Sequence, residues 1–127
     1  MKKETKYIIG ALIALVLIVV GISFLDKSSI GESDKYDSFA MCLSEKGAKF
    51  YGAFWCPHCQ KQKAMFENSD KIPYVECSTP DTKGQLQVCT DKGVKSYPTW
   101  ILADGSVLEG EIPLETLAQK TSCTLPQ

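Results

Sequence analysis

The sequence predicts an α/β domain in which helices flank a central mixed sheet of about four strands, preceded by a single transmembrane helix. Three observations predict this arrangement. Apolar strand-like segments alternate with helix-like segments over residues 36–127. An Asp104-Gly105 pair between two short runs is typical of an antiparallel hairpin. Near the N-terminus, the nineteen residues Tyr7–Leu25 carry no charge.

The N-terminal segment is predicted to be a membrane anchor. A helix over Tyr7–Leu25 would span about 28 Å, close to the thickness of a bilayer's hydrocarbon core. A cleaved secretory signal is the alternative, but its apolar region is usually shorter and ends in a small-X-small site, which Phe24-Leu25-Asp26 does not offer. Three of the first six residues are lysines. They place the N-terminus in the cytoplasm and everything after Asp26 outside, in an oxidising compartment.

We therefore divide the chain into a cytoplasmic tip with anchor (1–25), a polar linker (26–35) and one globular domain (36–127). The net charge of −1 gives no indication of nucleic-acid binding. All basic residues are lysines, which disfavours a site that binds phosphate or carboxylate through bidentate arginines.

The domain should open with a helix over Tyr36–Lys46, which places Phe39, Cys42 and Leu43 on one face. Gly47 then ends this helix. The mostly apolar run Ala48–Phe54 is typical of a central strand that is buried on both faces.

A Cys-X-X-Cys motif follows that strand and precedes a helical pattern over Gln60–Asn68. Pro57 suits the first position of a helix, because its missing N–H has no partner to lose there. Cys56 then lies at the positive end of the helix dipole, which should stabilise its thiolate and lower its pKa. Cys59 lies one turn on. We expect Cys56 to be the attacking sulfur and Cys59 the resolving one, with His58 adding a hydrogen bond or positive charge beside Cys56.

A zinc site and a purely structural disulfide are the alternatives for this motif. Zinc would need two more ligands at suitable spacing, and the sequence has no second Cys-X-X-Cys. Its single histidine, His58, lies inside the motif. We therefore predict no metal and no cofactor other than the redox-active disulfide.

The rest of the chain predicts a second strand–helix unit and then a hairpin and helix. Strand–helix–strand–helix order implies parallel strands joined by right-handed crossovers. The predicted elements are a strand over Ile72–Cys77, a loop over Ser78–Lys83, a helix over Gln85–Lys92, strands over Trp100–Ala103 and Ser106–Glu109, and a helix over Pro113–Lys120.

Residues from about Asp37 to Cys123 resemble a thioredoxin-like domain. More narrowly, Tyr51–Cys59, Tyr74–Cys77 and Tyr97–Trp100 resemble the thioredoxin-like domain that is fused to, or works with, bacterial homologues of vitamin K epoxide reductase. The Pro57-His58 pair resembles that of DsbA-type oxidases and differs from the Gly-Pro pair of reducing thioredoxins. The fused forms carry this domain after the membrane bundle, whereas here it follows a single predicted anchor.

The resemblance implies a protein disulfide oxidase without a bound cofactor. The Cys56–Cys59 disulfide would pass to secreted proteins, and a vitamin K epoxide reductase-like membrane protein would re-oxidise the pair and send the electrons to a quinone. It also implies that Pro98 is cis and lies against the cysteine motif. A proline at the first position of a strand is the alternative.

Three residues near the motifs are candidates for substrate binding: Trp55, Tyr97 and Thr99. Phe54 and Trp100 belong either to the same apolar surface or to the core. Phe50 stands where many family members have a buried acid that assists proton transfer at the resolving cysteine. Its presence leaves water and Glu76 as the two candidate proton acceptors for Cys59. We expect Lys61 and Lys63 to lie on a solvated helix face.

Four further cysteines suggest structural disulfides, because the count is even and the compartment is oxidising. Cys77 ends a strand and Cys89 lies on the following helix, so we predict that they pair. Cys42 with Cys123 then follows by elimination. The alternative is that Cys42 or Cys123 is a free shuttle thiol.

Two other functions fit the same sequence. One is a thioredoxin-like reductant, as in cytochrome c maturation, with the opposite electron flow. The other is a non-catalytic, membrane-tethered binding module whose disulfides only brace the fold.

Overall fold

The computed structural model of the chain describes residues 2–25 and 35–127. In the first range it describes the side chains of Lys3 and of residues 7–20 only. The predicted linker over 26–35 lies outside the described residues, except for Lys35. The chain divides into two compact units, Met1–Gly31 and Glu32–Gln127.

The first unit contains one helix, α1, over Lys2–Leu25. Its side chains from Tyr7 to Val20 are all exposed. Within ranges 2–25 and 35–127, no helix is both long enough and apolar enough to cross a membrane. The side chains of residues 21–25, at the end of the predicted anchor, are outside the described set.

The second unit is built on a mixed four-stranded sheet, which confirms the predicted sheet. The strands lie in the order β2-β1-β3-β4. β1 pairs with β2 in parallel, whereas β1 with β3 and β3 with β4 are antiparallel. The strands are β1 Lys49–Gly52, β2 Tyr74–Glu76, β3 Thr99–Ile101 and β4 Val107–Glu109.

Each strand is shorter than predicted. Phe54 shows the reason at the end of β1. Its N–H donates to a side-chain oxygen of Glu76 on β2 at 3.3 Å and not to the backbone of that strand. This break turns the chain out of the sheet just before the cysteine motif.

Four helices surround the sheet: α2 Asp37–Glu45, α3 Pro57–Met65, α4 Gln87–Asp91 and α5 Leu114–Thr121. α3 begins at Pro57, the residue that the sequence places at the first helical position, because proline presets a helical φ. It ends before Asn68, since Glu67 and Asn68 adopt left-handed φ values of 53° and 58°. Helices flanking a mixed four-stranded sheet fit a thioredoxin-like α/β fold.

Stacked aromatic rings form the centre of the core. Trp100 on β3 stacks on Phe50 of β1 with ring centroids 5.0 Å apart, and on Phe66 at 6.0 Å. Phe66 also stacks on Phe39 of α2 at 5.7 Å. Trp100 is therefore a core residue, one of the two roles left open by the sequence. Phe54 is 47% exposed and does not belong to the core.

Two disulfides connect α2 and α4 to other parts of the domain. Cys42 on α2 bonds to Cys123, which follows α5, so 81 residues separate the pair. Cys77, just after β2, bonds to Cys89 on α4 at a separation of 12 residues. Neither Cys42 nor Cys123 is a free thiol in this structure.

Removing the two disulfides should lower stability by different amounts. Loop-closure entropy predicts a loss of about 4.5 kcal/mol for Cys42→Ala/Cys123→Ala and about 3 kcal/mol for Cys77→Ala/Cys89→Ala. Urea unfolding of the full chain and the two double variants, with Cys56 and Cys59 reduced, measures both values. A larger loss for the shorter loop would contradict the entropic explanation.

Candidate redox site

The connection between β1 and α3 places Cys56 at the start of the helix. The Cys56 N–H donates to the Ala53 carbonyl at 3.0 Å, and the Cys56 carbonyl accepts the first helical bond from the Gln60 N–H at 3.1 Å. The Gln60 side chain donates to the Phe54 carbonyl at 2.7 Å, which fixes the loop. The Cys56 sulfur therefore lies where helix N–H groups favour negative charge.

The two sulfurs of the motif occupy unequal environments. Cys56 and Cys59 are both free thiols, Cys56 being 5% exposed and Cys59 fully buried. Burial raises the pKa of Cys59 to about 12. A backbone hydrogen bond with Ala53 opposes this rise, the nearby Cys56 sulfur adds to it, and the positive charge of Lys63 opposes it. Cys59 is thus a neutral thiol near pH 7.

Gly52, at the end of β1, leaves the space that the buried sulfur occupies. A Cβ at this position would lie 2.8 Å from Cys59 Sγ and 2.9 Å from Tyr74 Cε2. Both distances are shorter than real carbon contacts, so only glycine fits without displacing a neighbour. The Cys59 sulfur and the Tyr74 ring consequently both border the space that Gly52 leaves beside β1.

The Tyr97–Pro98 peptide bond is cis, and Pro98 is buried. The carbonyl of Tyr97 lies opposite the first sulfur, with Cys56 Sγ 3.8 Å from the oxygen. Pro98 is held in turn by its own carbonyl, which accepts the Gly110 N–H at 2.8 Å. The structure thus brings the segment before β3 directly against the cysteine motif.

Aromatic side chains surround Cys56 on the surface. Trp55 is 48% exposed, and its ring packs edge-on against Tyr97 with centroids 6.2 Å apart. Its indole N–H donates to the Ser78 hydroxyl at 2.7 Å, which fixes the ring. Phe54 is exposed beside it. We call Phe54, Trp55 and Tyr97 the aromatic rim.

Thr99 does not join the aromatic rim, which corrects its prediction as a substrate-binding side chain. It is 1% exposed, and its hydroxyl donates to the Ser96 carbonyl at 2.8 Å. The pleat of β3 turns this side chain inward, and the hydrogen bond keeps its polar group satisfied there.

His58 contacts a residue that the sequence analysis missed. Its Nδ1 lies 2.5 Å from a carboxylate oxygen of Glu111, so this nitrogen faces Glu111 and not the Cys56 sulfur. Buried Gln62 of α3 holds Glu111 in place by accepting from the Ile112 N–H at 2.7 Å and donating to the Ile112 carbonyl at 3.0 Å. A polar residue at position 62, one turn after Cys59, is the only sequence signal for this contact.

Glu76 is anchored by backbone and tyrosine donors. One carboxylate oxygen accepts from the N–H groups of Cys77 and Ser78 at 3.1 and 2.8 Å, and the other accepts from the Tyr74 hydroxyl at 2.7 Å. Burial and this hydrogen bond raise the pKa of Tyr74, so the hydroxyl stays protonated. Among the described contacts of Glu76, none is a hydrogen bond to Cys59.

The residues described over 2–25 and 35–127 contain no group of three or more His, Cys, Asp or Glu side chains that could hold a metal ion.

Comparisons with known proteins agree with thiol–disulfide chemistry at this site. The chain is 47% identical over 96 residues to the thiol-disulfide oxidoreductase LTO1 of Arabidopsis thaliana, covering 71% of this chain and 25% of that protein. It is 40% identical over 78 residues to the thioredoxin domain-containing protein 5 homolog of Drosophila melanogaster, covering 52% and 18%. It is 31% identical over 67 residues to glutaredoxin-C4 of Arabidopsis thaliana, covering 53% and 48%.

The chain is similar to thioredoxin-like oxidoreductases. It spans less than half the length of each of these three relatives. No protein-family model matches it. The names of the relatives, the fold and the paired sulfurs together support thiol–disulfide oxidoreductase chemistry.

The unequal sulfurs predict selective alkylation. In the reduced protein at pH 8, iodoacetamide should modify Cys56 while Cys59 stays unmodified, because a buried thiol with a pKa of about 12 forms little thiolate. Reaction at Cys59 should rise with pH toward 12, since the raised pKa keeps the proton bound until then. Peptide mass spectrometry measures both positions. Cys56→Ser and Cys59→Ser variants report each sulfur alone, and equal rates at pH 8 would contradict the assignment.

Proposed function

We propose that this chain is a membrane-anchored, extracytoplasmic thiol–disulfide oxidase that transfers its Cys56–Cys59 disulfide to secreted proteins. The observation that carries the proposal is the inequality of the two sulfurs. Cys56 lies at the start of α3 beside the Tyr97 carbonyl, whereas Cys59 is fully buried behind it. Because Cys56 keeps a small exposed fraction of 5% and Cys59 has none, an incoming thiolate should attack Cys56.

Substrate oxidation begins with the disulfide form of the pair. A substrate thiolate attacks Cys56 Sγ, the Cys56–Cys59 bond breaks, and Cys59 leaves as a thiolate that takes up a proton. A second substrate thiolate then attacks the substrate sulfur of the mixed disulfide, and Cys56 leaves as a thiolate. The substrate loses two electrons and gains a disulfide, while the pair becomes a dithiol.

Re-oxidation runs through the same sulfurs. The Cys56 thiolate attacks a disulfide of the partner and forms a mixed disulfide. Cys59 loses its proton to water and attacks Cys56, which restores the Cys56–Cys59 disulfide and leaves the partner as a dithiol. The resemblance of the motif supports a vitamin K epoxide reductase-like membrane protein as this partner, with a quinone as the final electron acceptor.

The aromatic rim supports the binding of extended, partly apolar polypeptide. Trp55 and Tyr97 flank Cys56, and their contact is fixed by the Trp55–Ser78 hydrogen bond. Pre-ordered rings bury apolar substrate surface at little cost in side-chain entropy. Because the aromatic rim contains no charged side chain, it also fits a disulfide donor that acts on many different substrates.

The membrane anchor at Tyr7–Leu25 is part of the proposal and is supported by the uncharged run behind a lysine cluster. Tethering would keep the redox domain at a high effective concentration near a membrane partner. The oxidising direction is supported by the Pro57-His58 pair, which resembles that of DsbA-type oxidases.

Trapping in cells tests the proposed function. Cys59→Ala should accumulate mixed disulfides through Cys56, because the resolving thiol is missing. Non-reducing gels of the membrane fraction, followed by mass spectrometry, should identify secreted cysteine-containing proteins among the trapped partners. Cys56→Ala/Cys59→Ala is the matched control and should trap nothing.

Two outcomes would contradict the oxidase. An absence of trapped species would support a tethered binding module whose disulfides only brace the fold. Trapping limited to partners that become more oxidised when the protein is deleted would indicate a reductant.

A further inference from the structure

The sequence predicts Lys63 on a solvated helix face, but in the structure its side chain packs on an aromatic ring. Its ammonium lies 3.6 Å from the centroid of the Tyr74 ring, a close cation–π contact. The residue is half-buried and follows Cys59 by four positions on α3, so both side chains lie on the same helix face. Lys61 differs, since its side chain is 66% exposed and its ammonium is 4.0 Å from Glu111.

The Tyr74 ring is fixed from three sides. Phe50 packs edge-on against the Tyr74 ring with centroids 5.2 Å apart. The Tyr74 hydroxyl donates to Glu76 at 2.7 Å. The Tyr74 Cε2 atom and the Cys59 sulfur both border the space that Gly52 leaves. The ring thus lies near both the buried Cys59 sulfur and the Lys63 ammonium.

We propose that Lys63, positioned by the Tyr74 ring, is the positive charge that stabilises the Cys59 thiolate during disulfide exchange. The inference rests on the proposed thiol–disulfide chemistry but not on its direction. Cys59 becomes a thiolate in both halves of the cycle, as leaving group when substrate is oxidised and as attacking group when the pair is re-oxidised.

The surroundings of Cys59 explain the need for such a charge. A thiolate in a fully buried position loses its hydration, and Phe50 supplies no ionisable group there. Among the ionisable groups near Cys59, Lys63 is the one whose positive charge lowers the pKa of the thiol against the effect of burial. Partial burial also reduces solvent screening of this charge.

The exchange step balances without an added oxidant. With a mixed disulfide on Cys56, the Cys59 thiol gives its proton to water, and the resulting thiolate attacks Cys56 Sγ. The Cys56–Cys59 bond forms, and the bond to the bound thiol breaks, releasing that group as a thiolate. Lys63 neither gives nor takes a proton, so it is a positioning residue that acts through charge.

The test measures, in the full-length chain, how fast a mixed disulfide between Cys56 and glutathione is converted to the Cys56–Cys59 disulfide. We call this step closure. Reduced protein is mixed with oxidised glutathione, and acid-quenched samples are analysed by mass spectrometry at pH 6–10. In Lys63→Gln, closure at pH 8 should slow about threefold, since a smaller thiolate fraction is partly offset by the greater nucleophilicity of a more basic thiolate. Its pH profile should move to higher pH.

Matched variants separate charge from packing. Lys63→Arg keeps the charge and should stay within about twofold of wild type, whereas Lys61→Gln on the same helix should behave as wild type. The rate of the first step, attack by Cys56 on glutathione disulfide, should be unchanged in Lys63→Gln. Wild-type closure rate and pH profile in Lys63→Gln would overturn the inference, as would an equal effect of Lys61→Gln.

These outcomes are distinct from those of the trapping experiment. Slow closure in Lys63→Gln supports the inference even if Cys59→Ala traps no cellular partner, a result that would overturn only the oxidase. Trapping in cells together with wild-type closure in Lys63→Gln would keep the oxidase and overturn the role of Lys63.

Discussion

The packing of the Cys59 sulfur beside Gly52 and the Tyr74 ring is the constraint on which the rest of the site depends. It removes one sulfur of the motif from water and keeps its thiol protonated, while the other sulfur, at the start of α3, keeps a small exposed fraction. Similar environments would make the two sulfurs interchangeable. Their inequality gives the exchange reaction a fixed order of attack and resolution.

Contacts from distant parts of the chain maintain this inequality. The Tyr97 carbonyl covers Cys56, Gln62 fastens the segment before α5 to α3, and Lys63 lies on Tyr74. Each contact joins α3 to a different element, so the redox motif is held as part of the fold and not as a flexible loop. The disulfides Cys42–Cys123 and Cys77–Cys89 use the other four cysteines, which leaves Cys56 and Cys59 as the free pair.

Local patterns predicted the mixed sheet, the hairpin and the helix start at the cysteine motif, because proline, Asp-Gly and apolar periodicity act over a few residues. The Glu111 contact of His58 was missed since 53 residues separate the two. For a similar reason, the substrate-binding role predicted for Thr99 was wrong, and the sequence left open whether Phe54 lies at the surface or in the core. The pleat of β3 and the break in β1 decide which side chains face water, and both depend on long-range pairing. The cation–π contact of Lys63 likewise needs β2 beside α3.

The equilibrium reduction potential of the Cys56–Cys59 pair tests the central claim most directly. A Cys56 sulfur at a helix start favours the dithiol over the disulfide, because the helix end stabilises negative charge that only the reduced sulfur can carry, and a stabilised dithiol makes an oxidant. Titration of the full-length chain against glutathione should therefore give a potential between about −120 and −180 mV, the range of strong protein oxidants. A potential near −270 mV, that of thioredoxin, would contradict it.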